Sequence, residues 1–409
     1  MASMNGWAKG MNNVAKSNEL GADTLRNAVN VDISDGGKVS RRKGHALVTA
    51  LTGAHSLWAD STGNAYFVHG NALKKLLSGG IAQNLGSVSA NGNHMSYVEV
   101  NGEIFFSCAT CNGKVSDGKI QPWGIETPSN PPAIGATTGI LNAGTYHAAV
   151  TYLLADGRES GASALSKVTL NNVGGISVLG MPTPVSPLVT KKRLYLSTAD
   201  GEELFLANEM GATGQFAVIG SPAIGHELRS QYITSPQFSK CLAEVNGRIF
   251  MVSASSPKTV SYTEALDFDH VDSRKNFYQF PSDVTLIAAT KTGLYVCADK
   301  TYFIASAGMD DATQSEVFDY IGIANTAQLI PSTHEYIWMT GRGAVIGREG
   351  GQAELLSASS LATGSMTNAA SMVREQDGIR QFVVVGNQTE GSSVQAGSYA
   401  EAEIIRRSN

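Results

Sequence analysis

The sequence predicts an all-β chain: a β-propeller of about six blades, interrupted once by an inserted fibronectin-III-like β-sandwich. Three observations predict it. Among 409 residues there are 44 glycines and only 16% charged residues, with 42% hydrophobic content; such chains are rich in tight turns between short apolar strands. Strand–turn–strand units recur along the chain. Their spacing is regular except at one place, where an excess of about 100 residues marks a passenger module.

The repeat is clearest in "VEVNGEIFFSCA" (98–109) and "AEVNGRIFMVSA" (243–254), identical at seven of twelve positions. Each is a strand, an Asn-Gly turn and a second strand, the strongest short hairpin signal. Looser copies are 57–76 with turns at Gly63 and Gly70, 286–305 with a turn at Gly293, 334–347, and 374–387 with a turn at Gly378. Landmarks at Gly63, Gly102, Gly247, Gly293, Glu335 and Gly378 are separated by 39, 145, 46, 42 and 43 residues. Four of these gaps match a four-stranded propeller blade.

The boundaries follow: an N-terminal arm over 1–24, a first propeller part over 25–129, the inserted sandwich over 130–228, and a second propeller part over 229–409. Within the insertion, Tyr146, Ala148, Val150, Tyr152 and Leu154 alternate onto one face of a strand ending at the Asp156-Gly157 turn. A second hairpin turns at Asp200-Gly201, and the Pro-rich runs 127–135 and 180–188 read as linker and loop. Weak helical patterns occur only near 8–17 and 357–371.

A propeller must join its first and last blades or leave sheet edges open. The strands 27–33 and 45–51 precede the first copy and have no blade of their own. Val29, Val31 and Ile33 are therefore expected to pair with the last blade, near 365–400, and seal the ring; a hairpin packed locally is the alternative. Lys38, Arg41, Arg42 and Lys43 then form a basic patch at a hairpin end, either a solvated turn or a surface facing DNA or a partner.

No catalytic, cofactor or metal motif stands out. P-loop, H-E-x-x-H and G-x-S-x-G patterns are missing from the sequence. The eight histidines are scattered without ligand spacing. Asp267, Asp269 and Asp272 in "EALDFDHVDSRKN" supply oxygens of the type a hard cation takes, but the spacing is not that of an EF-hand, and a polar loop is the expectation. Asp310-Asp311 reads as a turn. Cys108 and Cys111 form a CxxC with no second close pair, and all four cysteines read as reduced structural thiols, with an adventitious metal or redox site as the alternative. The aromatics Tyr66, Phe67, Phe105, Phe106, Tyr295 and Trp338 are assigned to core packing. A net charge of −5 argues against tight wrapping of nucleic acid. No apolar run approaches eighteen residues, so no membrane insertion is expected, and "MASMNGWAKGMNNVAKS" lacks a secretory signal core.

The stretch "TLRNAVNVDISDGGKVSRRKG" (24–44) resembles the N-terminal signature of tailed-phage proteins at the head-to-tail or tail-tube junction: an apolar "NVD" strand, a Gly turn and an Arg-rich strand ending in Gly. "VNGRIFMVSASSPKTVSYTEALDFDHVD" (245–272) is similar to a blade of the same proteins, the tail nozzle, tail tubular or packaged-DNA-stabilisation family. The chain departs from them in its compactness and in Lys43, where that pattern has proline. The resemblance implies a structural, non-enzymatic virion protein without cofactor. It would form a homohexameric ring that extends the DNA channel, retains packaged DNA, and passes double-stranded DNA without sequence specificity. Its implied partners are a portal or adaptor ring and a tail fibre, spike or needle. Its implied location is the phage tail, after synthesis in the host cytoplasm. The rival expectation is a tail-associated glycan-degrading or receptor-binding propeller.

Overall fold

The structure is a computed structural model that describes residues 6–29, 31–34, 36–41, 47, 49–356, 360, 366–376, 379–388 and 400–405. It is all-β, with no α-helix among the described residues. Residues 8–17 form turns rather than a helix, and from Met366 the chain is strand; 357–359 and 361–365 lie outside the described residues.

Five four-stranded antiparallel meanders and a three-stranded sheet follow one another, in the manner of propeller blades. The first comprises Ala54–Ala59, Ala65–His69, Ala72–Leu76 and Ala82–Ser87. The second comprises Ser96–Val100, Glu103–Ser107, Asn112–Ser116 and Lys119–Gln121. The third holds Ser239–Val245, Arg248–Ser253, Thr259–Tyr262 and Phe277–Gln279. The fourth runs from Leu286–Thr290 to Thr313–Phe318, and the fifth from Gln328–Ile330 to Ala353–Leu355. The sixth comprises Met366–Gln376, Ile379–Gln388 and Ala400–Ile405.

The Asn-Gly turns do what their chemistry allows. Asn101 and Gly102, and Asn246 and Gly247, all have positive φ, the twist that joins two right-twisted strands in a two-residue hairpin. At the fourth sheet the turn falls on Lys291-Thr292, and Gly293 already begins the strand.

Each sheet buries one face against the next. Phe106, Ile104 and Val68 join the first to the second; Phe105, Ile249 and Met251 join the second to the third. Phe250 and Leu294 lie between the third and fourth, Tyr295 and Trp338 between the fourth and fifth, and Ile337 and Phe382 between the fifth and sixth. Tyr66, Phe67, Phe105, Phe106, Tyr295 and Trp338 are all buried, as their apolar strand positions require. No such cluster joins the sixth sheet to the first among the described residues.

The expected ring-closing pairing is not the pairing found. Val31–Ile33 pairs antiparallel with Val39–Arg41, Val31 opposite Arg41 and Ile33 opposite Val39, in a two-stranded sheet of its own. Val29 lies outside the strand and is largely exposed. The last sheet contains no strand from 27–51 among the described residues. The reason is local. Gly37 N–H donates to Ser34 O, Ser34 N–H to Lys38 O, and Lys38 N–H to the Ser34 hydroxyl. Closing this short turn costs far less chain entropy than pairing across more than 300 residues. The N-terminal arm itself reaches the 360 region, where Asn13 N–H donates to Ser360 O at 2.9 Å.

Between the second and third sheets lies the insertion, a seven-stranded sandwich. One sheet orders Ala133–Leu141, Gly174–Gly180 and Ala217–Ile219; the other orders Ser166–Leu170, Gly144–Leu154, Val189–Ser197 and Leu204–Gly211. Tyr146, Ala148, Val150, Tyr152 and Leu154 fill the space between the sheets.

Candidate functional site

The strongest concentration of buried polar chemistry is the joint between sandwich and propeller. It is built from the acidic loop 264–274, the strap 158–163 and the two chain crossings. The outgoing chain places Trp123, whose Nε1–H donates to Phe268 O at 2.6 Å, and whose ring packs 5.3 Å from Phe105. The returning chain, Ile233–Thr234, pairs antiparallel with Val271–Asp272.

Asp269 sits between these crossings. It accepts the Gly124 amide at 3.0 Å and pairs with the Arg158 guanidinium. Arg158 also binds Asp156 through Nε at 2.9 Å. The neighbouring Glu159 faces the sandwich sheet. Its carboxylate accepts the Thr151 hydroxyl at 2.5 Å, the Tyr195 hydroxyl at 2.7 Å and Arg193 Nη1 at 2.6 Å. With that Tyr195 proton committed, His226 Nε2 lies 2.9 Å from the same oxygen as donor. Both faces of the Gly144–Leu154 strand are thereby buried in its second half. Ala149 packs with Ala162, Tyr195, Leu204 and Leu228 on the side away from the sandwich core.

His270 closes the joint. Its Nδ1 lies 2.7 Å from Asp267 Oδ2 and its Nε2 lies 2.8 Å from Glu159 O. Both partners are acceptors, and only the imidazolium carries two N–H donors. Burial alone would lower the His270 pKa; the hydrogen bond to Asp267 and its negative charge outweigh burial and raise it above 6.5. The contribution is therefore complete below pH 6.5 and lost as pH rises through the raised folded-state value. The midpoint advantage of the full chain over His270→Gln in thermal unfolding should be present at pH 6 and shrink as pH rises above 6.5. A difference that does not change with pH would remove His270 from the joint's energetics.

The three aspartates weighed as cation ligands thus face separate cations: Asp267 faces His270, Asp269 faces Arg158, and Asp272 faces Arg274 at 2.9 Å. No group of three His, Cys, Asp or Glu among the described residues is arranged to hold a metal. Asp310-Asp311 lies in turns. Of the basic patch, Lys38 and Arg41 are exposed at the local hairpin, and Arg42 and Lys43 lie outside the described residues.

One polar cleft of about 240 Å³ opens between the first and second sheets, lined by Asp60, Glu99, Asp117, Tyr66 and Lys75 among others. Asp60 and Glu99 are both engaged by the loop between Ala54–Ala59 and Ala65–His69. Asp60 accepts the amides of Thr62 and Asn64, and Glu99 accepts Ser61 N–H at 2.7 Å and its hydroxyl at 2.9 Å.

Sequence reasoning found the acidic loop but not its partners. Arg158 lies 111 residues from Asp269, and nothing near "DGRES" signals the contact.

No family model matches the chain, and no curated protein matches it. Among solved structures it is similar to BBS1N in complex with ARL6DN, at TM-score 0.33 and 9% identity over 83% of this chain and 90% of that one. It is also similar to Hsv2 of Kluyveromyces lactis, at 0.29 and 7% over 79% and 86%, and to the CNH domain of AfRom2, at 0.24 and 7% over 79% and 91%. At this level the similarities assign neither a family nor an activity.

Proposed function

We propose that the chain is a structural protein of a tailed-phage virion. It forms a ring-shaped nozzle that extends the DNA channel, retains packaged DNA, and links a portal or adaptor ring to a fibre, spike or needle. The resemblance of 24–44 and 245–272 to nozzle proteins supports this reading. The second segment is also the one that clamps the sandwich to the propeller, through Phe268, Asp269 and His270.

The observation that carries the proposal is an apolar face on the sandwich. Ile140, Leu179, Phe216 and Val218 are all more than half exposed. Leu179 and Val218 point away from the core that Ile176, Val178 and Ile219 fill. A face of large apolar side chains on a rigidly held module suits a repeated, heterologous contact between neighbouring subunits. A mildly acidic chain suits a conduit as well, because each cation on a phosphate adds binding free energy that would retard passage of DNA.

The test is imaging of the purified chain by negative stain, with light scattering across concentrations. Rings of about six subunits with a DNA-width lumen are expected. Monomers at every concentration, with or without an adaptor ring, would sink the reading.

A further inference from the structure

We propose that Cys108 and Cys111 form a reversible dithiol–disulfide site, oxidised by a small peroxide. The chain reaches Cys108 at the end of Glu103–Ser107, turns through Ala109-Thr110, and enters Asn112–Ser116 from Cys111. Cys108 N–H donates to Cys111 O across this turn at 2.7 Å. The same turn brings the two Sγ atoms to 2.9 Å, well inside the van der Waals separation of two sulfurs. The two thiols already stand near bonding reach across the turn.

The pair is also chemically unequal. Cys108 Sγ accepts the Thr110 amide at 3.4 Å and the Cys111 thiol. The shared proton from Cys111, helped by the Thr110 donor, holds Cys108 below the ordinary thiol value. Cys111 is pushed up, because it keeps that proton and is buried. One sulfur is thus the nucleophile and the other the resolving thiol. Among the described residues, no third metal-ligating side chain joins them in a group that could hold a metal. The other two cysteines have different settings. Burial pushes Cys241 up to about 12 and Cys297 up to about 11, and their sulfurs face Thr285 O and the Thr301 hydroxyl.

Access selects the oxidant. Cys108 is fully buried and Cys111 is 9% exposed, so a bulky disulfide is shut out, and a small peroxide is the oxidant class proposed. The Cys108 thiolate attacks one peroxide oxygen; the O–O bond breaks, the departing hydroxide takes from solvent the proton Cys108 had released and becomes water, and Cys108 becomes a sulfenic acid. Cys111 then attacks that sulfur, the S–O bond breaks, and the departing hydroxide takes the Cys111 proton as water. Two thiols lose two electrons in total, and one hydrogen peroxide becomes two waters. The bond would lock the turn that anchors the connection between the first and second sheets, where the Thr110 hydroxyl donates to Ser89 O at 2.6 Å.

The experiment treats the reduced full-length chain with hydrogen peroxide, unfolds it in denaturant, alkylates the remaining thiols, and maps them by mass spectrometry. The intact mass should fall by about 2 Da, the mass of two hydrogens. The bond should map to Cys108–Cys111, Cys241 and Cys297 should alkylate fully, and dithiothreitol should reverse the change. The proposal is overturned if Cys108 and Cys111 both alkylate after peroxide. It is overturned equally if sulfinic acid accumulates there without a bond, or if the purified chain carries stoichiometric zinc that only modification of these two thiols releases.

Discussion

Trp338→Ala is expected to lower the stability of the chain by about 3–5 kcal/mol, the range for deleting a large buried aromatic. Trp338 is fully buried and joins the fourth sheet to the fifth. Its ring lies 5.3 Å from that of Tyr295, whose hydroxyl is tied to Arg348 O and Gln352 O. It also lies against Gly347, where an added Cβ would come within 2.6 Å of the indole. The surrounding sheet backbone cannot collapse into the space left behind. Trp338→Phe should behave differently. The indole Nε1–H has no hydrogen-bond partner, so removing it relieves an unsatisfied buried donor and offsets part of the lost packing. A loss of about 1 kcal/mol is expected for Phe. Urea unfolding with the slope unchanged from wild type measures both. Equal losses for the two variants would show that the N–H is bonded and that packing is not the whole contribution.

What the sequence makes legible is what local chemistry decides. Asn101-Gly102 and Asn246-Gly247 announce hairpins because only a few residue types accept positive φ at both turn positions. Tyr146 to Leu154 announces a core face by alternation alone. The same stretch hides its second buried face. Ala149 and Thr151 are covered by a strap and a returning chain whose proximity is set by tertiary structure. Val29, Val31 and Ile33 mark the complementary failure. The need for closure is a global argument, whereas Ser34 to Lys38 form a turn that satisfies the strand locally, and the local solution is the one adopted. Asp269 reads equally well as a cation ligand or a solvated loop residue until folding brings Arg158 beside it. The spacing of Cys108 and Cys111 is visible in the sequence; that the turn presses their sulfurs together is not.

Gly161→Ala should have an effect comparable to the loss of Trp338, but of a different kind: it should uncouple the sandwich from the propeller. Gly161 lies in the strap, buried, where Ser160 and Ser163 exchange hydrogen bonds with the Tyr152 and Val150 backbones. The strap therefore cannot move without breaking into the sandwich sheet. A Cβ at position 161 would stand 1.8 Å from the Ile233 carbonyl oxygen and 2.8 Å from its carbon. The obstacle is backbone, so no side-chain rotation relieves it. The returning strand must retreat instead, loosening both the Ala162 N–H to Ser230 O bond and the pairing of Ile233–Thr234 with Val271–Asp272. A loss of about 3 kcal/mol or more is expected, at the upper end for overpacking. Calorimetry should show one transition split into two, and limited proteolysis should open the chain near 225–236. Gly157→Ala is the control. Gly157 has φ +89° but open space around it, so it isolates backbone strain at about 1–2 kcal/mol without the collision. If Gly161→Ala unfolds in a single transition shifted no further than Gly157→Ala, the strap does not hold the two modules together, and the rigid subunit on which a ring would depend is lost with it.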